Sequence, residues 1–200
     1  MREYDLIADW YASQRPENSD GSGVPEVTAL ATALPPDSRV LDIGCGNGTP
    51  LTATLLSAGH RVVGLDSSTA MLMRFRASYP TTPLVRGVAG ACPFAEETFD
   101  AAVAWGVLFH LSQAEQRRAF ASVSRLLKPS AAFLFTAGYG MRSDDAAHVD
   151  TMHGVEFRYY SFTDDGYRRV LAEQGLVLER FHIDAGHNGY YLARRTSRTS

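Results

Sequence analysis

Hydrophobic positions along the chain change period repeatedly, and each change marks an element. Tyr4, Ile7, Ala8 and Tyr11 recur at helical spacing, and the turn formers Ser19-Asp20-Gly21-Ser22-Gly23 then break the pattern, so 1–24 reads as a short helix and a hinge. A second helix over roughly 26–34 stops at Pro35-Pro36, after which Arg39-Val40-Leu41-Asp42-Ile43 has the composition of a short core strand. Helices are expected over 51–58, 68–79 and 112–127, the last opened by the capping pattern Ser112-x-x-Glu115. Strands are expected over 61–65, 83–86, 99–105 and 131–137. The segment 138–160 fits no strong period and reads as an irregular functional cover, since a structureless stretch of that length is seldom idle. A helix over 163–174 ends at Gly175, and strands over 177–183 and 190–194 flank an Asn188-Gly189 turn before a frayed tail from Arg194.

Strands alternating with helices predict an α/β fold with a mainly parallel sheet, and 200 residues suit one domain with one site. A hydrophobic share of 45% with 20% charged residues is that of a globular enzyme, and a net charge of -3 gives no general field for polyanions. Arg117, Arg118, Arg125 and Lys128 lie along or near the end of one helix, where solvation and the helix dipole account for them without nucleic acid. Acidic residues within Met1-Arg2-Glu3-Tyr4-Asp5 and the lack of a long apolar run point to the cytoplasm and away from membranes. Cys45 and Cys92 fall in different loops without C-x-x-C spacing, so reduced thiols are expected.

The chemistry concentrates in Asp42-Ile43-Gly44-Cys45-Gly46-Asn47-Gly48, between the first strand and a helix. Glycine admits positive φ and removes the side chain, so a bulky ligand can approach the backbone while the next helix offers free N–H groups. A nicotinamide fingerprint would need a third glycine where Thr49 stands, and Asp42 would repel a pyrophosphate. An acid there suits an α-ammonium and a sulfonium, the cationic groups of S-adenosylmethionine. Asp66 ends the second strand about 20 residues beyond the loop, where a carboxylate can accept from both ribose hydroxyls.

Val40-Leu41-Asp42-Ile43-Gly44-Cys45-Gly46-Asn47-Gly48 resembles the first motif of class I S-adenosylmethionine-dependent methyltransferases, and Val63-Gly64-Leu65-Asp66-Ser67-Ser68 resembles the second. Gly87 through Cys92-Pro93-Phe94, Thr98-Phe99-Asp100 and Leu126-Leu127-Lys128-Pro129 are similar to later motifs, so that the resemblance covers roughly 4–135. It implies a doubly wound, mainly parallel seven-stranded sheet with an antiparallel C-terminal strand, and a cofactor at the carboxyl ends of the early strands. It implies that Gly44, Gly46 and Gly48 line the amino-acid and sulfur portion, Asp66 the ribose, and Met71 with the Val88-Ala89 backbone the adenine. Asp42, Cys45, Ser67, Trp105 and Gly106 complete that cofactor set, with Tyr11 and Arg15 on a lid formed by 1–24. Two positions depart from the pattern: Val88 stands where an acid commonly accepts the adenine amino group, and Ser130-Ala131 where a pair of glycines is usual.

Such an enzyme aligns acceptor, methyl carbon and sulfur and excludes water; it needs a base only when the acceptor arrives protonated. His110, beyond the fourth strand, is the leading candidate base, with His187 and Tyr160 as further catalytic candidates. The 138–160 insertion brings Tyr139, His153, Tyr159 and Tyr160 as acceptor-binding candidates, although the same rings can simply anchor it. His148, Asp150, His153, Asp144 and Asp145 lack defined ligand spacing, and no metal is expected. The expected function is methyl transfer from S-adenosylmethionine, leaving S-adenosylhomocysteine, to a small-molecule acceptor by a monomer or homodimer. The alternatives are an RNA or protein methyltransferase, or a non-catalytic S-adenosylmethionine-binding protein.

Overall fold

The computed structural model describes residues 3–14, 23–144, 146–184 and 186–197. Arg15 and the 19–22 part of the expected hinge lie outside the described residues. Two short helices, α1 (Glu3–Leu6) and α2 (Ala8–Ser13), replace the single helix expected at the start. They are followed by α3 (Val24–Ala33), β1 (Arg39–Ile43), α4 (Leu51–Ser57), β2 (Arg61–Asp66), α5 (Thr69–Ser78) and β3 (Leu84–Arg86). Next come β4 (Phe99–Ala104), α6 (Gln113–Leu126) and β5 (Leu127–Ala137), with single 3-10 turns at Ala89–Ala91 and Leu108–His110. The chain closes with β6 (Ala146–Met152), β7 (Val155–Ser161), α7 (Asp164–Glu173), β8 (Leu176–Ile183) and β9 (Gly189–Arg195).

Seven strands form one sheet in the order β3-β2-β1-β4-β5-β9-β8. Neighbours from β3 to β5 pair in parallel, and β9 runs antiparallel to both β5 and β8, so β9 alone is reversed. Alternation along the central strands loads both faces of the sheet. Leu41, Ile43, Ala102, Ala104, Phe133 and Phe135 pack with Phe120, Val123 and Leu126 of α6 and Val170 and Leu171 of α7. Val40, Val62, Ala101, Val103 and Leu134 pack on the other face with Val27 and Leu30 of α3 and Leu51 and Leu55 of α4.

Helix α6 shows why these residues fold locally. Ser112 Oγ accepts from the Glu115 N–H at 3.4 Å, while Glu115 Oε2 accepts from the Ser112 N–H at 2.9 Å, closing the capping box. Gln116, Ala119, Phe120, Val123 and Leu126 are its buried stripe, at the spacing of one helical face. Strand β5 begins four residues before the expected 131. Ser130 takes φ +65°, where glycine is unstrained, and the β4–β5 register shifts between Phe99 and Ala101.

Among its described residues, the segment 138–160 is irregular only before 146. Strands β6 and β7 form a separate antiparallel hairpin, from Ala146↔Ser161 to Met152↔Val155, turning at His153 and Gly154, both with positive φ. Exposed His148, Val149, Asp150 and Thr151 on β6 conceal its strand period, because neither face of that strand is buried. The frayed tail expected from Arg194 instead continues β9 to Arg195, whose guanidinium donates to Leu127 O and Glu97 Oε1.

Candidate functional site

The carboxyl ends of β1, β2, β3 and β4 open into one cleft beside the point where strand order reverses between β1 and β4. A cavity of about 240 Å³ borders Gly44, Asp66, Val88 and Gly106, and a smaller compartment of about 30 Å³ adjoins it along Asp42, Cys45, Gly46 and Gly48. Tyr11, Gly44, Gly46 and Trp105 border both.

The glycine loop is held from below. Leu65 O accepts from the Gly44 N–H at 2.7 Å and the Cys45 N–H at 3.2 Å, coupling the ends of β1 and β2. Gly44 and Gly46 both take positive φ, but for different reasons of space. A Cβ on Gly44 would lie 2.0 Å from Val107 Cγ2, whereas a Cβ on Gly46 would meet nothing within 4 Å and would enter the cleft. Asp42 is 3% exposed, and its Oδ2 accepts from Thr52 Oγ1 of α4 at 2.5 Å. The Cys45 thiol, buried in the loop, is pushed well above the ordinary thiol range by that burial and by Asp42 and Asp66, so it stays protonated and unreactive.

Asp66 sits where β2 meets α5. Its Oδ2 accepts from the Gly46 N–H at 2.9 Å and its Oδ1 from the Ser68 N–H at 2.8 Å. A carboxylate offers about four acceptor positions, so two bonds to the backbone leave capacity for hydroxyls in the cavity it borders. Burial raises its pKa, opposed by the Ser68 and Gly46 N–H groups. Ser67, Met71, Gly87, Val88 and Ala89 form the adjoining wall, Met71 buried and Val88 55% exposed. Glu115 lines the cavity as well, on the helix that packs against the Ala89–Ala91 turn.

Trp105, 8% exposed, packs its ring on Tyr190 at 4.5 Å, and the Gly106 N–H donates to Thr136 Oγ1 at 2.8 Å. These contacts turn the chain out of β4 and deliver Val107, His110 and Leu111 to the cavity. His110 lies among rings: Phe109 at 4.7 Å, Tyr159 at 4.7 Å, Phe157 at 5.3 Å and Tyr4 at 5.6 Å between centroids. Its Nε2 is 3.0 Å from Tyr4 Oη and its Nδ1 is 3.4 Å from Arg158 O. Burial lowers its pKa to about 4, so the imidazole is neutral at physiological pH.

The roof is α1 and α2. Asp5 Oδ1 accepts from Ser68 Oγ at 2.5 Å and from the Ala70 N–H at 3.1 Å, Asp9 pairs with Arg74, and Trp10 stacks on His153 at 4.8 Å. The amino-terminal helices thus span from α5 to the β6–β7 hairpin.

Of the residues singled out from sequence, Tyr11, Asp42, Gly44, Cys45, Gly46, Gly48, Asp66, Ser67, Met71, Val88, Ala89, Trp105, Gly106 and His110 converge on the cleft. The others do not. Tyr159 backs His110 from behind, whereas Tyr160 is on the opposite face of β7, its carbonyl accepting from Gln116 Nε2 at 3.0 Å. Tyr139 packs on Phe181 at 6.2 Å, His153 occupies the hairpin turn under Trp10, and His187 is exposed in the β8–β9 turn. Asp144 caps α7 through Thr163 and pairs with Arg169, and among the described residues no three His, Cys, Asp or Glu side chains gather as metal ligands. The sequence reading passed over Tyr4, Val107, Leu111 and Glu115. For Tyr4 a signal existed, because Tyr11 follows at i+7 and two aromatic rings then share one helical face.

A parallel sheet reversed only at its inserted last strand, with a glycine-loop crevice at its switch point, is the class I methyltransferase fold. Residues 40–130 match the family model described as a methyltransferase domain. The chain is 30% identical over 132 residues to 24-methylenesterol C-methyltransferase 2 of Oryza sativa subsp. japonica, covering 60% of this chain and 35% of that protein. It is 33% identical over 144 residues to the tRNA (carboxymethyluridine(34)-5-O)-methyltransferase of Arabidopsis thaliana, covering 72% and 33%. It therefore spans about a third of the length of these curated relatives. The CcbJ methyltransferase of Streptomyces caelestis superposes with a TM-score of 0.78 at 18% identity, covering 98% of each chain. The chain thus has the class I methyltransferase fold, and its 40–130 segment matches a methyltransferase domain. No helix among the described residues is long and apolar enough to cross a membrane.

Proposed function

We propose that this chain transfers the methyl group of S-adenosylmethionine to a small-molecule acceptor. One observation carries the reading: the space above Gly46, where a side chain would meet nothing, is continuous with the aromatic chamber around His110. The residues fit the cofactor. Gly44, Cys45, Gly46 and Gly48, with Asp42 beneath, hold its amino-acid portion; Asp66 and Ser67 take the ribose; Met71, Val88 and Ala89 flank the adenine. When bound, the cofactor supplies a methyl group already activated on a sulfonium. Trp105 and Tyr11 border both compartments and exclude water at their junction, with Gly106 beside them in the larger one. His110, uncharged, is the proton acceptor.

The roof of α1, α2 and the hairpin favours a small acceptor, since a folded RNA or protein would have to displace it. Two buried free thiols suit a reducing cytoplasm, where the chain works as a monomer or homodimer. Calorimetry is expected to detect S-adenosylhomocysteine and not a nicotinamide dinucleotide, and isotopically labelled cofactor is expected to methylate an extractable small molecule. A salt-dependent gel shift with tRNA, and label entering RNA, would replace the small molecule with a nucleic acid.

A further inference from the structure

We propose that Tyr4 and His110 form a proton relay that fits this site to an uncharged acceptor bearing a hydroxyl on an aromatic ring. The proposal rests on the methyltransferase reading and extends it to the kind of molecule methylated.

The direction of the relay follows from the partners of the imidazole. Arg158 O, near Nδ1, can only accept, so Nδ1 carries the hydrogen and Nε2 presents its lone pair. Tyr4 therefore donates to Nε2 across 3.0 Å. A phenolic oxygen that donates still accepts, and Tyr4 borders the cavity, so its oxygen can receive the acceptor's proton while its own moves to His110. In the balanced step the acceptor oxygen bonds to the methyl carbon and the carbon–sulfur bond breaks with both electrons remaining on sulfur. The acceptor proton passes to Tyr4 Oη and the former Tyr4 proton to Nε2, which later returns it to water.

The walls select the acceptor. Tyr4, Tyr11, Val107, His110 and Leu111 offer flat or branched apolar surface for a planar ring. The two carboxylates bordering the cavity are each anchored by hydrogen bonds: Asp66 accepts from the Gly46 and Ser68 N–H groups, and Glu115 from Ser112 in the cap of α6. A protonated amine would have to shed its hydration among these rings, which a neutral phenol does at far lower cost. A weakly basic imidazole cannot take a proton from an ammonium, but it readily takes one from the strongly acidic oxonium that forms as a phenol is methylated. The other titratable groups around His110 are Glu3, whose charge acts on it from α1, and Tyr159 of β7, whose own pKa is raised by burial.

The test compares 2-naphthol with 2-naphthylmethylamine at neutral pH, on protein saturated with S-adenosylhomocysteine, by calorimetry. The naphthol is expected to bind at least tenfold more tightly; equal affinities, tighter amine binding, or no heat with the naphthol would overturn the proposed acceptor. Single-turnover methylation of 2-naphthol should fall about a hundredfold in Tyr4→Phe and in His110→Gln, and about as much in the double variant, because the two share one path. Full activity in Tyr4→Phe, or multiplied losses in the double variant, would overturn the relay. Retained S-adenosylhomocysteine binding by each variant reports its fold. If the unaltered protein failed to bind S-adenosylhomocysteine, the underlying methyltransferase reading would fail instead.

Discussion

Gly44 and Gly46 share a loop and a backbone conformation, yet substitution should separate them. Gly46→Ala costs about 1–2 kcal/mol of left-handed strain and also fills ligand space. It is expected to weaken S-adenosylhomocysteine binding more than tenfold by calorimetry while the protein still folds. Gly44→Ala adds a clash with Val107 to the same strain and should lower the melting temperature further. His110 gives a second residue-scale expectation. With its pKa held near 4 against 6.5 in the unfolded chain, the unfolded state binds more protons across that window. Its contribution to stability is complete above pH 6.5 and is lost as pH falls toward 4. Thermal melts of His110→Gln should therefore vary less over that range than those of the parent. The part of the cleft proposed to hold the cofactor was legible because 42–48, 66–71 and 88–89 are contiguous motifs. On the other side of the cleft His110 was singled out but Tyr4 was not, because the two meet only after folding brings distant segments together.

The amino-terminal helices have too few residues to be stable alone, so their position depends on what holds them. Asp5 supplies much of that hold, its pKa lowered chiefly by the Ser68 hydroxyl. Asp5→Ala is expected to speed hydrogen exchange and proteolysis across 3–14 while shifting global stability by no more than about 1 kcal/mol. Normal protection of 3–14 in that variant would show that the Arg74 pair and the Trp10 stack suffice. The hairpin marks the limit of sequence reading at this scale. In β7 the alternation Val155, Phe157, Tyr159, Ser161 against Glu156, Arg158, Tyr160 was present. It was masked by a partner strand exposed on both faces and by a His153-Gly154 turn in place of the usual asparagine or aspartate before glycine.

Across the whole molecule the cleft is bounded by pieces of β1, β2, β3 and β4 and by α1, so a ligand that fills it ties most of the sheet together. At a concentration a hundredfold above its dissociation constant, S-adenosylhomocysteine should stabilise the fold by about 2.7 kcal/mol, raising the melting temperature by roughly 5–10 °C. An unmoved transition would mean that the ligand does not enter the folded chain. The sheet itself was readable at this scale because a repeated strand-helix rhythm leaves few chain paths.

Strand β9 lies between β5 and β8, both of which precede it in the chain, and it contributes Tyr190 and Tyr191 to the interior on opposite faces. During synthesis the first five strands can associate as they emerge, while β8 has no neighbour to join until β9 leaves the ribosome. Completion of the sheet is thus deferred to the end of translation of this region, and until then the open flank of β5 is the surface that chaperones have reason to shield.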